Sequence, residues 1–163
     1  MTIEISEYQS EWPERFTAER DFLAPLLRPW LVGAIEHIGS TAVPGLAAKP
    51  VIDLMAGVSS LEASREAIAV IGDKGYCYYP YKADIMHWFC KPTPTLRTHH
   101  LHLVPYDSPI WRDQIRFRDL LRQKDEIRRA YEALKKDLAA RFTDRDAYTQ
   151  HKSSFIADAL ASI

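Results

Sequence analysis

Residues 37–54 read HIGSTAVPGLAAKPVIDL, and the fold turns on how this stretch is parsed. It begins at the end of a short strand-like run, Ala34 to Ile38, that stops at Gly39-Ser40. It ends inside a second apolar run, Val51 to Val58 (VIDLMAGV), which is too short and too β-branched at its start to be a helix. Strand, glycine turn, strand is the expected order. A glycine at the first break lets backbone N–H groups approach a phosphate, and Ser40 and Thr41 add hydroxyl donors. The stretch is not a P-loop, because Val43-Pro44 stands where that motif needs its Gly-Lys followed by Ser or Thr. Asp53 lies mid-strand among apolar neighbours, where a carboxylate needs a cation, a proton or strong donors. Lys49 and Arg97 are candidate cations.

Outward from this stretch, Trp12, Phe16, Leu23 and Leu27 follow the helical period between Glu11 and Leu27, with Pro13 suited to a first turn. Residues 61–71 read as a second helix. From Tyr76 to Val104 the chain turns β-rich in three pieces, YCYYPY, IMHWFCK and RTHHLHLV, expected to be antiparallel neighbours. After Pro109 the pattern is helical. Ile127, Tyr131, Leu134 and Leu138 mark one helix, and Thr143 is the expected N-cap of a last one carrying Tyr148, Phe155, Ile156 and Leu160. Strands and helices segregate more than they alternate. The expected class is therefore α+β, a mixed β-sheet with helices packed on one face and a C-terminal helical group.

Strand parity supplies a candidate site. Val51, Asp53 and Met55 point to one face of their strand, and Thr98, His100 and His102 share the face of theirs that Leu101 and Leu103 leave. If both leucine faces lie under helices, Asp53, His100 and His102 meet on the open face. One carboxylate and two imidazoles suit a divalent ion such as Zn, Mn or Fe. Without an ion, the histidines read as a hydrogen-bonded sheet face and Asp53 as half of an ion pair. Cations available to a substrate anion are Lys49, Arg97, Arg116, Arg118 and Lys152. The last shares a helix face with Tyr148 and Phe155, an unusual place for an ammonium unless its head reaches an anion or water. Trp88, Tyr79, Tyr81 and their neighbours read as hairpin packing, with stacking of a substrate ring as the sharper alternative.

Composition narrows the class. The chain has 163 residues, 47% of them hydrophobic, enough to build one core over 1–163 without disulfide or structural metal. A net charge of -1 argues against a binder of bulk nucleic acid, which uses many cations to displace counterions. Basic residues concentrate after Pro109, which permits a local anion site there. Two scattered cysteines, Cys77 and Cys90, fit reduced core thiols in a cytoplasmic protein. No run is long and apolar enough to span a bilayer, and MTIEISEYQSEW does not resemble a signal peptide.

Four blocks, HIGSTAVPGLAAKPVIDL (37–54), RTHHLHLV (97–104), SPIWRDQIRFRDLLR (108–122) and YTQHKSSFI (148–156), resemble the GrpB-like proteins of the nucleotidyltransferase superfamily that contains DNA polymerase β. The resemblance spans nearly the whole chain. It implies a nucleotidyltransferase-like core in which Gly39 and Ser40 open the nucleotide-phosphate loop and Asp53 matches the first metal-binding acid. It further implies a nucleoside triphosphate or other phosphorylated small molecule as partner, for which the residues themselves offer Thr41, Lys49, Arg97 and Lys152 as phosphate contacts. Mg, Mn or Zn would be the divalent metal. This chain departs from the superfamily at the second acid, where Met55 stands, and at the third, which falls near His100 or His102. A thioether gives hard Mg almost nothing, so two-metal nucleotidyl transfer is not expected. Asp53, His100 and His102 holding one softer ion as the catalytic group is the expectation instead. Domains resembling this one also occur fused to dephospho-CoA kinase, where a role in folding the partner has been suggested. An inert accessory module and a metal-dependent phosphohydrolase are the alternatives.

Overall fold

The computed structural model describes residues 3–163. Its elements, in chain order, are α1 (Trp12–Leu27), β1 (Glu36–Ile38), a short 3-10 turn (Ser40–Ala42), β2 (Ile52–Val58) and α2 (Ala67–Gly72). They continue with β3 (Cys77–Tyr79), β4 (His87–Pro92), β5 (Arg97–Pro105), α3 (Pro109–Gln123), α4 (Asp125–Arg141) and α5 (Arg145–Ala161). The strands form one five-stranded sheet in the order β1-β2-β5-β4-β3. Only the β2–β5 pair is parallel; β1–β2, β4–β5 and β3–β4 are antiparallel. The class is the α+β mixed sheet that segregation along the chain implied.

The two faces of the sheet are covered differently. Ile52, Leu54, Ala56, Leu101, Leu103 and Phe89 point under α1 and α2, against Trp12, Leu23, Leu27, Ala67 and Ile71. On the other face Ile38, Met55, Trp88, Cys90 and Val104 pack with Ile110, Trp111 and Ile115 of α3. A third cluster joins Val43 and Leu46 of the β1–β2 connection to Phe117, Leu120, Leu121 and Tyr131. The C-terminal helices thus grip the 39–50 segment rather than the sheet as a whole. They also satisfy its buried backbone: Lys135 Nζ donates to Ala47 O (2.6 Å), Ala47 N to Glu132 Oε1 (2.7 Å) and Arg122 Nε to Ala42 O (2.9 Å).

Several boundaries differ from the sequence reading. The second helix starts at Ala67 rather than 61, because 61–66 is a run of turns begun by Ser60, whose hydroxyl accepts from Ala63 N. The last helix is capped by Asp144, not Thr143: its carboxylate accepts from the N–H groups of Asp146 and Ala147, meeting two of the donors a helix start leaves open. Among the described residues, no helix is long and apolar enough to cross a membrane.

Candidate functional site

Register, not proximity in sequence, assembles the site. β2 and β5 run in parallel with Asp53 opposite His100 and Met55 opposite His102, while Ile38 at the end of β1 lies opposite Asp53. Asp53, His100 and His102 therefore share one face, as alternation along the two strands requires, but α3 packs on that face rather than leaving it open. His100 Nδ1 lies 3.0 Å and His102 Nε2 3.1 Å from the same oxygen, Asp53 Oδ1. Ligand atoms of the three residues fall within 4.8 Å of one another. Each side chain retains limited access: Asp53 is 24% exposed, His100 18% and His102 14%.

Burial pushes the Asp53 carboxyl upward. The charge of His100, the two imidazole hydrogen bonds and the charge of His102 outweigh it, and the group is held far below the usual carboxylate range. His100 is lowered, first by burial, with Asp53 opposing. Asp53 is thus held ionised and accepts an N–H from each imidazole. His100 Nε2 is buried without a partner among the described residues, and the His100 and Trp88 ring centres are 4.9 Å apart.

Gly39 brings the turn onto the carboxylate. Its φ of 74° and ψ of -176° belong to a region that side-chain-bearing residues rarely adopt, and it lies directly against the Asp53 side chain. Of the expected phosphate donors, Ser40 is half-buried beside Tyr131. Thr41 is buried and engaged inside the fold. Its hydroxyl meets His37 Nε2 at 2.9 Å and donates to Val51 O at 3.4 Å. His37, which sequence reasoning passed over, stacks on Phe16 with centroids 4.6 Å apart and so pins the turn to α1.

The cations divide into two groups. Lys49 and Lys152 place their ammonium groups 4.8 and 4.7 Å from the centre of the Tyr148 ring. Lys135, also missed, is 2% exposed and sits 5.2 Å from the Tyr131 ring. Burial lowers all three, Lys135 and Lys152 to about 7; Lys49 lowers Lys152 further, both lower Lys135, and Asp53 raises Lys49 and Lys152. Lys135 was visible in principle, since it shares the helix face of Tyr131 and Leu138, as Lys152 shares that of Tyr148. Arg97 joins the site face as well, 5.1 Å over Trp88, next to the strand irregularity at Lys91/Pro92. Arg116 and Arg118 do not join it. Arg116 pairs with Asp113 in solvent, and Arg118 clamps β1 through Glu36 and His37 O.

The family model described as GrpB protein matches residues 2–162 of this chain. The chain belongs to the GrpB family. A crystal structure of conserved protein GrpB from Enterococcus faecalis superimposes with a TM-score of 0.84 at 32% identity, covering 98% of both chains. The glutamate-rich protein GrpB of Alkalihalophilus pseudofirmus is 32% identical over 94% of this chain and 91% of its own length. The UPF0157 protein YqkA of Bacillus subtilis is 34% identical over 96% of this chain, but only 46% of YqkA is covered. The chain thus spans about half the length of that relative. Among solved structures, the GLD-2/RNP-8 complex matches with a TM-score of 0.58 at 12% identity over 93% of this chain and 58% of that one. Cid1 in complex with its short product ApU matches at 0.53 and 14%, over 80% and 40%. At those identities the likeness shows a nucleotidyltransferase-like fold for this GrpB-family chain.

Proposed function

We propose that this GrpB-family chain transfers a nucleotidyl or phosphoryl group from a nucleoside triphosphate to a small acceptor, using one divalent ion held by Asp53, His100 and His102. The observation that carries the reading is the meeting of two imidazole nitrogens on one Asp53 oxygen at 3.0 and 3.1 Å. Donors around a single ion with bonds of about 2.0–2.1 Å stand roughly 3 Å apart, so the set fits one ion. The donor chemistry favours Mn or Zn over Mg, because two of three ligands are imidazoles. Such an ion supplies Lewis-acid polarisation of a phosphoryl oxygen or of a water. The chain's own residues do the rest. Gly39 lets the turn approach the phosphates, Ser40 offers a hydroxyl, and Lys49, Lys135, Lys152 and Arg97 provide positive charge, with Asp53 acting on Lys49 and Lys152 and Glu132 on Lys135. Tyr148 and Tyr131 hold the ammonium groups in a half-dry setting where each is worth more than in water.

One observation favours a second reading, an inert module that binds a phosphorylated ligand or assists a partner protein. Met55, at the position of the superfamily's second acid, is fully buried in the α3-facing cluster and leaves no room for a second ion there. Product analysis with labelled triphosphates and Mn or Zn separates the readings. Transfer to an acceptor that disappears in Asp53→Ala supports the first, and release to water alone makes the chain a phosphohydrolase. Binding without turnover by the wild type overturns both catalytic readings and leaves the module.

A further inference from the structure

Cys77 on the edge strand β3 lies directly opposite Cys90 on β4, and both thiols are free. Directly opposed residues of an antiparallel pair share a face with Cβ atoms about 4.5–5.5 Å apart, whereas a disulfide asks for about 3.5–4.5 Å. Closure therefore needs an approach of about 1 Å. β3 is suited to give it, being three residues long with only one neighbouring strand. The exposures are unequal in a useful sense. Cys90 is fully buried, while Cys77 is half-buried, with its thiol held only by a 3.6 Å contact to Pro92 O. A reachable thiol beside a sheltered one is the arrangement in which oxidation of the first is resolved by the second. Cys90 is also opposite His100 on β5, and its cluster neighbour Trp88 touches the His100 ring.

We propose that Cys77 and Cys90 form a thiol modification site that takes a hydroperoxide and closes to an intrachain disulfide across β3 and β4, beside the Asp53 cluster. Cys77 Sγ attacks one peroxide oxygen; an S–O bond forms, the O–O bond breaks, and the other oxygen leaves as water with the thiol proton. Cys90 Sγ then attacks Cys77 Sγ; the S–S bond forms, the S–O bond breaks, and the hydroxyl leaves as a second water with the Cys90 proton. Two thiols and one hydrogen peroxide give one disulfide and two waters. Because the sheet already pairs the two residues, no segment has to unfold, and the buried thiol is spared from reagents too large to reach it. The thiol pair needs neither the metal nor the reaction proposed above.

The full-length reduced chain treated with hydrogen peroxide, then denatured and alkylated, tests it by intact mass. The expected result is a monomer that has lost two hydrogens and both alkylatable thiols, restored by dithiothreitol. Cys90→Ser is expected to stop at a sulfenic acid on Cys77 that dimedone traps, and Cys77→Ser to keep its Cys90 thiol. A wild type that gains oxygen atoms without losing hydrogens, keeps both thiols, or forms a disulfide-linked dimer overturns the proposal. Cys77→Ser changes a half-exposed edge position, so its result stands even if Cys90→Ser fails to fold.

Discussion

Gly39 and Asp53 touch across the β1–β2 turn: a Cβ on Gly39 would fall 2.8 Å from Asp53 Oδ2, while the other oxygen, Oδ1, takes both histidines. One carboxylate thus separates the turn from the imidazoles, and a change on either side is felt on the other. Gly39→Ala meets two penalties, a backbone region that costs about 1–3 kcal/mol for a residue with a side chain and a contact that pushes the carboxylate aside. The expected outcome is a lower melting temperature together with weaker metal uptake. Calorimetry and metal titration on the same sample check it.

Stoichiometric Mn or Zn uptake by the wild type, about one ion per chain, is the expected consequence of the three-ligand set. Asp53→Ala and His102→Ala should each abolish it, as read by elemental analysis after dialysis. Uptake retained in both variants would dispose of the site.

Removing Glu19 should cost stability without touching the metal. Glu19 is 6% exposed on the sheet-facing side of α1, where Tyr76 donates to it at 3.1 Å and Lys91 pairs with it at 2.7 Å. Glu19→Ala strands the Lys91 ammonium and the Tyr76 hydroxyl, a loss of about 3–5 kcal/mol for a pair this sheltered. Denaturant midpoints should fall while metal uptake stays at the wild-type level.

Lys135→Met should separate folding from ligand binding in the opposite sense. The ammonium is buried on a single backbone acceptor, Ala47 O, and a methionine of similar length removes its desolvation at the loss of that bond. Stability is expected to hold or rise, within about 1–2 kcal/mol. Affinity for triphosphate should fall several-fold by isothermal titration if the lysines serve the phosphates.

Acid should weaken the fold before any carboxylate titrates. His37 and His99 are both lowered to about 4, chiefly by burial, against about 6.5 in an unfolded chain. Between those values the unfolded chain binds more protons, so stability is full above about pH 6.5 and declines as pH falls toward about 4. The two histidines together account for a loss of up to about 6 kcal/mol over that window. Urea melts at pH 7 and pH 5 measure the slope, and His37→Gln should remove roughly half of it.

Much of this was readable along the chain. Alternation by two residues put Asp53 and Met55 on one side of their strand and His100 and His102 on one side of theirs, because successive Cβ atoms of a strand must alternate. The Gly39-Ser40 break, the β-rich middle and the helical end were likewise local signals, and local sterics decide them. Periodicity within a strand says nothing about its neighbour. That β2 lies parallel to β5, with Asp53 level with His100, was decided by packing Leu54 and Leu101 under the same helices, and only that choice brings the histidines to the carboxylate. Lys135 and His37 escaped notice for the same reason. Their roles depend on Ala47 O, Thr41 and Phe16, partners that no spacing in the sequence announces. The register of Cys77 against Cys90 belongs with these, since strand pairing is a bargain between distant segments settled by the core they jointly bury.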